Sequence, residues 1–251
     1  MIRKLLLTLT TFTTVLACAT AQQPKFEFPT GTRIGIVNHL ERRATHRNFS
    51  SLRVGNFSKQ IDVDWDIPDY IEKRLSATLK ADPRYTVILI RPAEPLGGIN
   101  KEPDLSDRTL TSGRLKPATA DYLSFLSDKY EVDVLISVRS YTGPSVFKID
   151  KHPIELQGYG LFTKQLLMSK HAYAYANITV EVFKTGPLTY IGSGKPENRK
   201  SPLNNINMEG SLKNMPQSEI EKLEPIVKEY AEQAIENAMV NANLLLNIIK
   251  K

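Results

Sequence analysis

The three aspartates Asp62, Asp64 and Asp66 form the pattern in this chain that comes nearest to a ligand site. Aspartates at alternate positions open the calcium-binding loop of an EF-hand, which also requires glycine at its sixth position and glutamate at its twelfth. Those two positions hold Ile67 and Lys73. We therefore interpret the aspartates as the wet face of a strand over 60–66, with Asp66 as the N-cap of the helix that follows.

The other side chains that could support catalysis follow no spacing with a known mechanism. Gly158 and Gly160 lack the third glycine of a dinucleotide-binding turn, and the chain contains no G-x-S-x-G sequence. None of the four histidines has a zinc-binding spacing: His39, His46, His152 and His171. We predict a protein that is not an enzyme and has no cofactor and no metal. The alternative is a periplasmic hydrolase or carbohydrate-acting enzyme, whose site would gather His39 with acidic residues such as Asp62.

The single cysteine, Cys18, stands where a bacterial lipoprotein carries its lipid. A basic start, a short apolar stretch and the sequence Val-Leu-Ala-Cys precede and include it, which is typical of a signal peptide over 1–17. The sequence Ala-Thr-Ala at 19–21 offers a second cleavage site, with a signal peptide over 1–21. We expect a periplasmic protein anchored to the outer membrane through Cys18. The alternatives are a soluble periplasmic or secreted protein and an uncleaved membrane anchor.

The charge balance is mildly basic. The 251 residues include 33 lysines and arginines against 27 aspartates and glutamates, a formal charge of +6. This excess favours anionic neighbours, but it is too scattered to predict nucleic-acid binding. The polar segment Glu41–Gly55 is predicted to be a loop or a ragged sheet edge. It carries the candidate residues for binding an anionic lipid or glycan, which are Arg42, Arg43, Arg47 and Arg53.

Hydrophobic periodicity predicts an α/β protein with an α+β tendency. The expected order is β-α-β-α-β, followed by antiparallel strands and a long C-terminal helix. A tether over 18–31 leads to a single domain over 32–251, with long loops near 92–117 and 192–216. The C-terminal helix is expected to open with a capping box at Ser218 and Glu221, to kink or restart at Pro225, and to extend nearly to Lys251.

The strand His171–Phe183 has the clearest alternation in the middle of the chain. Small and β-branched residues occupy one face, and Tyr173, Tyr175 and Phe183 lie on the other. Aromatic side chains on an exposed sheet face are enriched at protein interfaces, so these three are a candidate interaction face. The alternative is that a helix or the long insert covers them.

The layout of the first half resembles a group of bacterial envelope proteins. The segments that carry this resemblance are Gly31–Val37, the helix Ile67–Ala81, Tyr85–Leu89 and Glu131–Val138. Their arrangement is similar to the anticodon-binding-domain-like fold of penicillin-binding-protein activator lipoproteins, the curli secretion lipoprotein and the N-terminal domain of the Tol-Pal translocation protein. The resemblance implies a non-enzymatic module that binds or regulates another envelope protein, and an oligomer is compatible with it. It assigns no functional residue, and the segment 142–170 departs from the pattern.

Overall fold

The computed structural model describes residues 26–51, 55–91, 117–141, 147–149, 152–166, 169–198, 202–208 and 212–245. The predicted signal peptide, Cys18, most of the tether, Arg53 and the predicted loop over 92–116 lie outside these residues. No helix in the described ranges is both long enough and apolar enough to cross a bilayer.

Ten strands and four helices make up the described fold. The strands are β1 Thr32–Asn38, β2 Ala44–Ser50, β3 Phe57–Ile61, β4 Tyr85–Ile90, β5 Val134–Ser140, β6 Lys148–Ile149, β7 His152–Pro153, β8 Gly158–Leu166, β9 Ser169–Lys184 and β10 Thr189–Gly194. The helices are α1 Ile67–Lys80, α2 Pro117–Tyr130, α3 Gln217–Glu221 and α4 Glu224–Asn241. The predicted α/β class, with a mixed sheet and a long C-terminal helix, is confirmed.

One mixed sheet in the order β3-β2-β8-β9-β5-β1-β4 organises the domain, and β10 also pairs with β9. β1 runs parallel to β4 and β5, whereas β9 is antiparallel to β5, β8 and β10. The 16 residues of β9 join two wings: its first part pairs with β8 and its second part with β5. β3 therefore lies at one end of the sheet order and β4 at the other.

The larger hydrophobic core lies between one sheet face and helices α1 and α4. The apolar residues of α1 recur at helical spacing, so Ile67, Ile71, Leu75 and Leu79 all face this core. β10 and α4 approach so closely that a Cβ on Gly194 would lie 1.9 Å from the carbonyl oxygen of Ala234. Glycine is required there because any larger residue would overlap the helix backbone.

The opposite sheet face carries two smaller clusters. Helix α2 covers the β4-β1-β5 wing with Tyr122, Leu123 and Leu126. Phe147, Ile154 and Leu156, which flank the short hairpin β6–β7, cover part of the other wing and pack against Phe162 of β8 and Tyr175 of β9. Between these two covers, Arg139 and Glu181 form a buried bidentate ion pair, with distances of 2.7 and 2.8 Å.

Several local predictions are wrong. The segment Glu41–Gly55 contains strand β2 rather than only a loop, and residues 62–66 lie outside any strand. Asp66 does not cap α1 with its side chain; its backbone is left-handed (φ 44°), and its carboxylate accepts a hydrogen bond from Arg42 instead. The C-terminal helices have no capping box, because Ser218 lies inside α3.

Other details of the C-terminal part were partly predicted. Helix α4 begins anew with Pro225 in its first turn, as expected, but it ends at Asn241 rather than near the chain terminus. The predicted loop near 192–216 starts only after β10. Its described part is not a simple surface loop, because it contributes five buried or half-buried apolar side chains to the larger core: Leu203, Ile206, Met208, Leu212 and Met215.

Candidate functional site: an aromatic cleft beside an open sheet edge

An aromatic cluster anchors the β3-β2-β8 wing. Phe162 of β8 and Tyr175 of β9 are each 1% exposed and pack with Phe147 and Leu156. The Phe162 ring stacks on Tyr173 with 5.7 Å between ring centroids and an interplanar angle of 27°. The cluster exists because β8 and β9 alternate, and their aromatic residues fall on the face that the segment 147–156 covers.

A cleft of about 430 Å³ opens between this cluster and the start of β3. Its apolar walls come from Phe49, Ile154 and Phe162. Phe57 also lines the cleft, but its ring packs against His46 on the other sheet face, with 4.8 Å between ring centroids. Its polar groups are Arg47, Ser58 and two asparagines, and no acidic residue lines it. The cleft therefore combines apolar walls with a cation, which suits a ligand that has an apolar body and a negative charge.

Strand register places Arg47 beside this cleft. Arg47 lies opposite Ser58 in the β2–β3 ladder, and its guanidinium donates a hydrogen bond to the carbonyl oxygen of Glu155. Arg43 also lies near the end of the sheet that β3 forms. Its guanidinium donates a hydrogen bond to Oε1 of Gln60 at 2.9 Å. Among the described residues, neither arginine has a carboxylate within 4 Å. Within the described part of the chain, no carboxylate therefore neutralises either guanidinium group.

Arg42 is differently engaged, so the four predicted arginines do not act as one anion site. Its guanidinium contacts the carboxylates of Asp66 at 2.9 Å and Asp69 at 2.5 Å. The hydrogen bond and charge of Asp69 raise the pKa of Arg42, and the hydrogen bond from Arg42 lowers the pKa of Asp69. Two carboxylates thus offset the charge of Arg42, and its binding of an external anion stays a prediction.

The predicted exposed aromatic face is also wrong, and the alternative of a covered face holds. Tyr175 lies beneath the segment 147–156, and its hydroxyl approaches the carbonyl oxygens of Thr45 and Gln157 at 3.3 and 3.4 Å. Burial raises the pKa of Tyr175. Phe183 is fully buried beneath α2, and Tyr173 is half-buried. Tyr173 and Tyr175 therefore belong to the aromatic cluster behind the cleft, and Phe183 belongs to the separate core beneath α2.

His39 lies at the end of β1, where its ring contacts Tyr122 of α2 at 5.7 Å between centroids. Its backbone N–H bonds to Val138, so His39 is adjacent to Arg139 in the sheet. The nearby carboxylate of Glu181 is held by Arg139 in the buried ion pair. Asp62 instead lines a separate cavity of about 420 Å³ with Asp64, Glu221 and Glu224. The described residues contain no group of three or more metal-ligating side chains near enough to bind one ion.

His46 lies in a buried polar chain on the other side of β2. Its Nε2 is 2.9 Å from Oγ1 of Thr163, which donates to Oδ1 of Asn48 at 2.8 Å. The threonine proton is thus committed to Asn48, so Nε2 of His46 must carry the other proton. The unprotonated Nδ1 is buried without a partner in the described part. Burial and the charge of Lys59 lower the pKa of His46 to about 4.

Sequence reasoning named Arg43 and Arg47 but missed the aromatic walls around them. Phe49 lies in the segment predicted to be a loop or a ragged sheet edge, and no element was predicted at Phe57, so neither had an assigned face. The available signal was the alternation of Thr45, Arg47 and Phe49 in β2. The polar residues that alternate with them face the protein interior, which hides the strand pattern.

Comparisons with family models, with curated proteins and with solved structures found no match. The cleft, its charges and the outer edge of β3 are therefore the features that bear on function.

Proposed function

We propose that this protein is a non-enzymatic interaction module of the bacterial cell envelope, held at a membrane by a lipid on Cys18. The observation that carries the proposal is the aromatic cleft beside β3, which Arg47 lines, with Arg43 farther along the same sheet edge and no carboxylate of the described residues on either arginine. Aromatic side chains and arginine are enriched at protein interfaces because they provide contact area together with directional hydrogen bonds. The signal-like N-terminus and the resemblance to envelope lipoproteins supply the proposed location.

A second candidate is binding of an anionic lipid or glycan at the same arginines. The absence of acidic residues from the cleft lining favours it, since an anion there meets no like charge. Direct binding to vesicles of anionic lipid, and its absence with vesicles of neutral lipid, would support this candidate, and the binding should weaken as ionic strength rises.

Site-specific photo-cross-linking in the intact envelope tests the proposed function. A photoreactive amino acid replaces Ser58 at the cleft, and the control carries it at Glu236, which is exposed on α4. We expect a discrete adduct of higher mass from position 58 and none from position 236. The same adducts from both positions, or none from position 58, would contradict a specific docking role for the cleft.

A further inference from the structure

The outer edge of β3 is an unpaired strand edge in the described structure. β3 ends the sheet order, and its backbone pairs only with β2 within the described ranges. In β2, the N–H of Ser51 bonds to Gln165 of β8, whereas the N–H of Ser50 bonds to the side chain of Asn56 on the β3 side. Even-numbered residues of β2 thus face β3, because successive residues of a strand point to opposite edges.

This alternation identifies which groups of β3 face the solvent edge. The register places Lys59 opposite His46, so the backbone of Lys59 bonds towards β2. The N–H and C=O groups of Ser58 and Gln60 therefore point outwards. Both residues are exposed. Two successive outward residues provide the hydrogen-bonding pattern that an added strand requires.

The charges and the cleft define the side chains that an added strand would carry. Ser58 lies opposite Arg47, and Gln60 accepts a hydrogen bond from Arg43, so both arginines border the same edge. Phe49, Ile154 and Phe162 form the walls of the cleft, which Ser58 of β3 also lines. An added strand could place an apolar side chain in the cleft. Acidic side chains two residues before and two residues after it would lie on the same face, because successive side chains of a strand point to opposite faces.

We propose that an acidic, extended peptide segment of a partner protein adds to β3 in this way, with its apolar side chain in the cleft. This inference rests on the proposed function and specifies the partner's chemistry. A second copy of this chain is a poor occupant, because two β3 edges would bring Arg43, Arg47 and Lys59 against the same cations. Lysine on an edge strand commonly prevents such self-association.

A symmetric synthetic peptide tests the proposal with the purified full chain in detergent. The probe is fluorescein-labelled Gly-Glu-Val-Phe-Val-Glu-Gly, blocked at its C-terminus, which reads the same in both strand directions. Fluorescence anisotropy should show saturable binding, and the peptide with lysine in place of both glutamates should bind roughly tenfold more weakly. Equal binding of the two peptides, or no binding of either, would overturn the proposal.

Charge-reversal variants locate the binding. The double variant Arg43→Glu/Arg47→Glu should weaken binding by roughly tenfold or more. The matched control Lys73→Glu/Lys80→Glu makes the same charge change on exposed positions of α1 and should stay within about twofold. An equal loss in both double variants would mean that net charge alone drives binding, and the β3 site would be refuted.

A backbone variant separates strand addition from simple charge attraction. Gln60→Pro removes the outward N–H while sparing the ladder to β2, whereas Gln60→Ala removes only the side chain. The proline variant should bind roughly threefold to tenfold more weakly than the alanine variant, the effect of one hydrogen bond. If Gln60→Pro and Gln60→Ala both keep the wild-type thermal unfolding and bind the peptide with the same affinity, strand addition is refuted. If the proline variant does not fold, the two charge-reversal double variants still decide whether the peptide binds at this site.

The outcomes also separate this inference from the proposed function. Failure of the peptide with retention of the adduct from position 58 would refute acidic strand addition and leave the interaction module standing. Binding of phosphatidylglycerol vesicles without peptide binding, or a concentration-dependent dimer that Arg47→Glu abolishes, would overturn the inference in favour of a membrane or a second copy.

Discussion

Acidification should destabilise the protein through His46, and the structure gives the size of the effect. The native pKa is about 4 against 6.5 for an ordinary histidine. Above pH 6.5 the side chain is neutral in both the folded and the unfolded states, so it adds no pH dependence. Between pH 6.5 and about 4 the unfolded state takes up a proton that the folded state excludes, and the free energy of unfolding falls by up to about 3 kcal/mol.

Urea unfolding at a series of pH values from 7 to 4 measures this effect. In His46→Gln the side chain no longer titrates. The free energy of unfolding of this variant should therefore fall by about 3 kcal/mol less than that of the wild type over this pH interval. The matched control His171→Gln replaces a half-buried histidine of β9 and should keep the wild-type dependence. The comparison uses the change with pH, so a constant loss of stability in either variant does not affect it. Parallel curves for the wild type and His46→Gln would refute the assignment of a buried neutral histidine.

Three further predictions concern packing, charge and location. Gly194→Ala should lower the free energy of unfolding by about 1–3 kcal/mol, because its Cβ would meet the backbone of α4, whereas Glu236→Ala on the exposed face of α4 should have little effect; thermal unfolding compares them. Arg139→Met should lower the free energy of unfolding by about 3–5 kcal/mol, because it leaves Glu181 buried and unpaired. The double variant Arg139→Met/Glu181→Met should recover part of that loss. Urea unfolding of the single and double variants measures this, and losses that simply add would contradict it. Cys18→Ser should abolish labelling by radioactive palmitate and move the protein from the membrane to the soluble fraction; unchanged labelling would refute lipid attachment at this residue.

The central sheet could be predicted from the sequence because its strands are apolar. β1 and β5 bury most of their side chains, so their segments appear as compact apolar runs. β4 has the same apolar composition, although only its two end residues, Tyr85 and Ile90, are buried. Helix α1 could be predicted because its apolar residues repeat at helical spacing and Pro83 follows its end. β9 was equally clear from its alternation.

The candidate site could be predicted only in part, because its elements violate the usual pattern. The inward face of β2 carries the polar residues His46 and Asn48, both of which hydrogen-bond to Thr163. The sequence therefore lacks the apolar residues that usually mark the buried face of a strand. Tyr175 appeared to be on an exposed face because nothing in the sequence shows that the distant segment 147–156 folds over it. The arginines were found by composition, but only the fold separates Arg42, which two aspartates neutralise, from the two that remain at the sheet edge.

The most direct test of the proposed role of the cleft is whether docking there requires Arg47. Photo-cross-linking from position 58 should be repeated in the intact envelope with Arg47→Glu and, as the matched control, with Lys73→Glu. The account predicts that the adduct disappears or falls strongly with the first change and persists with the second. An adduct of unchanged yield in Arg47→Glu would contradict the claim that the aromatic cleft and its arginine recognise the partner.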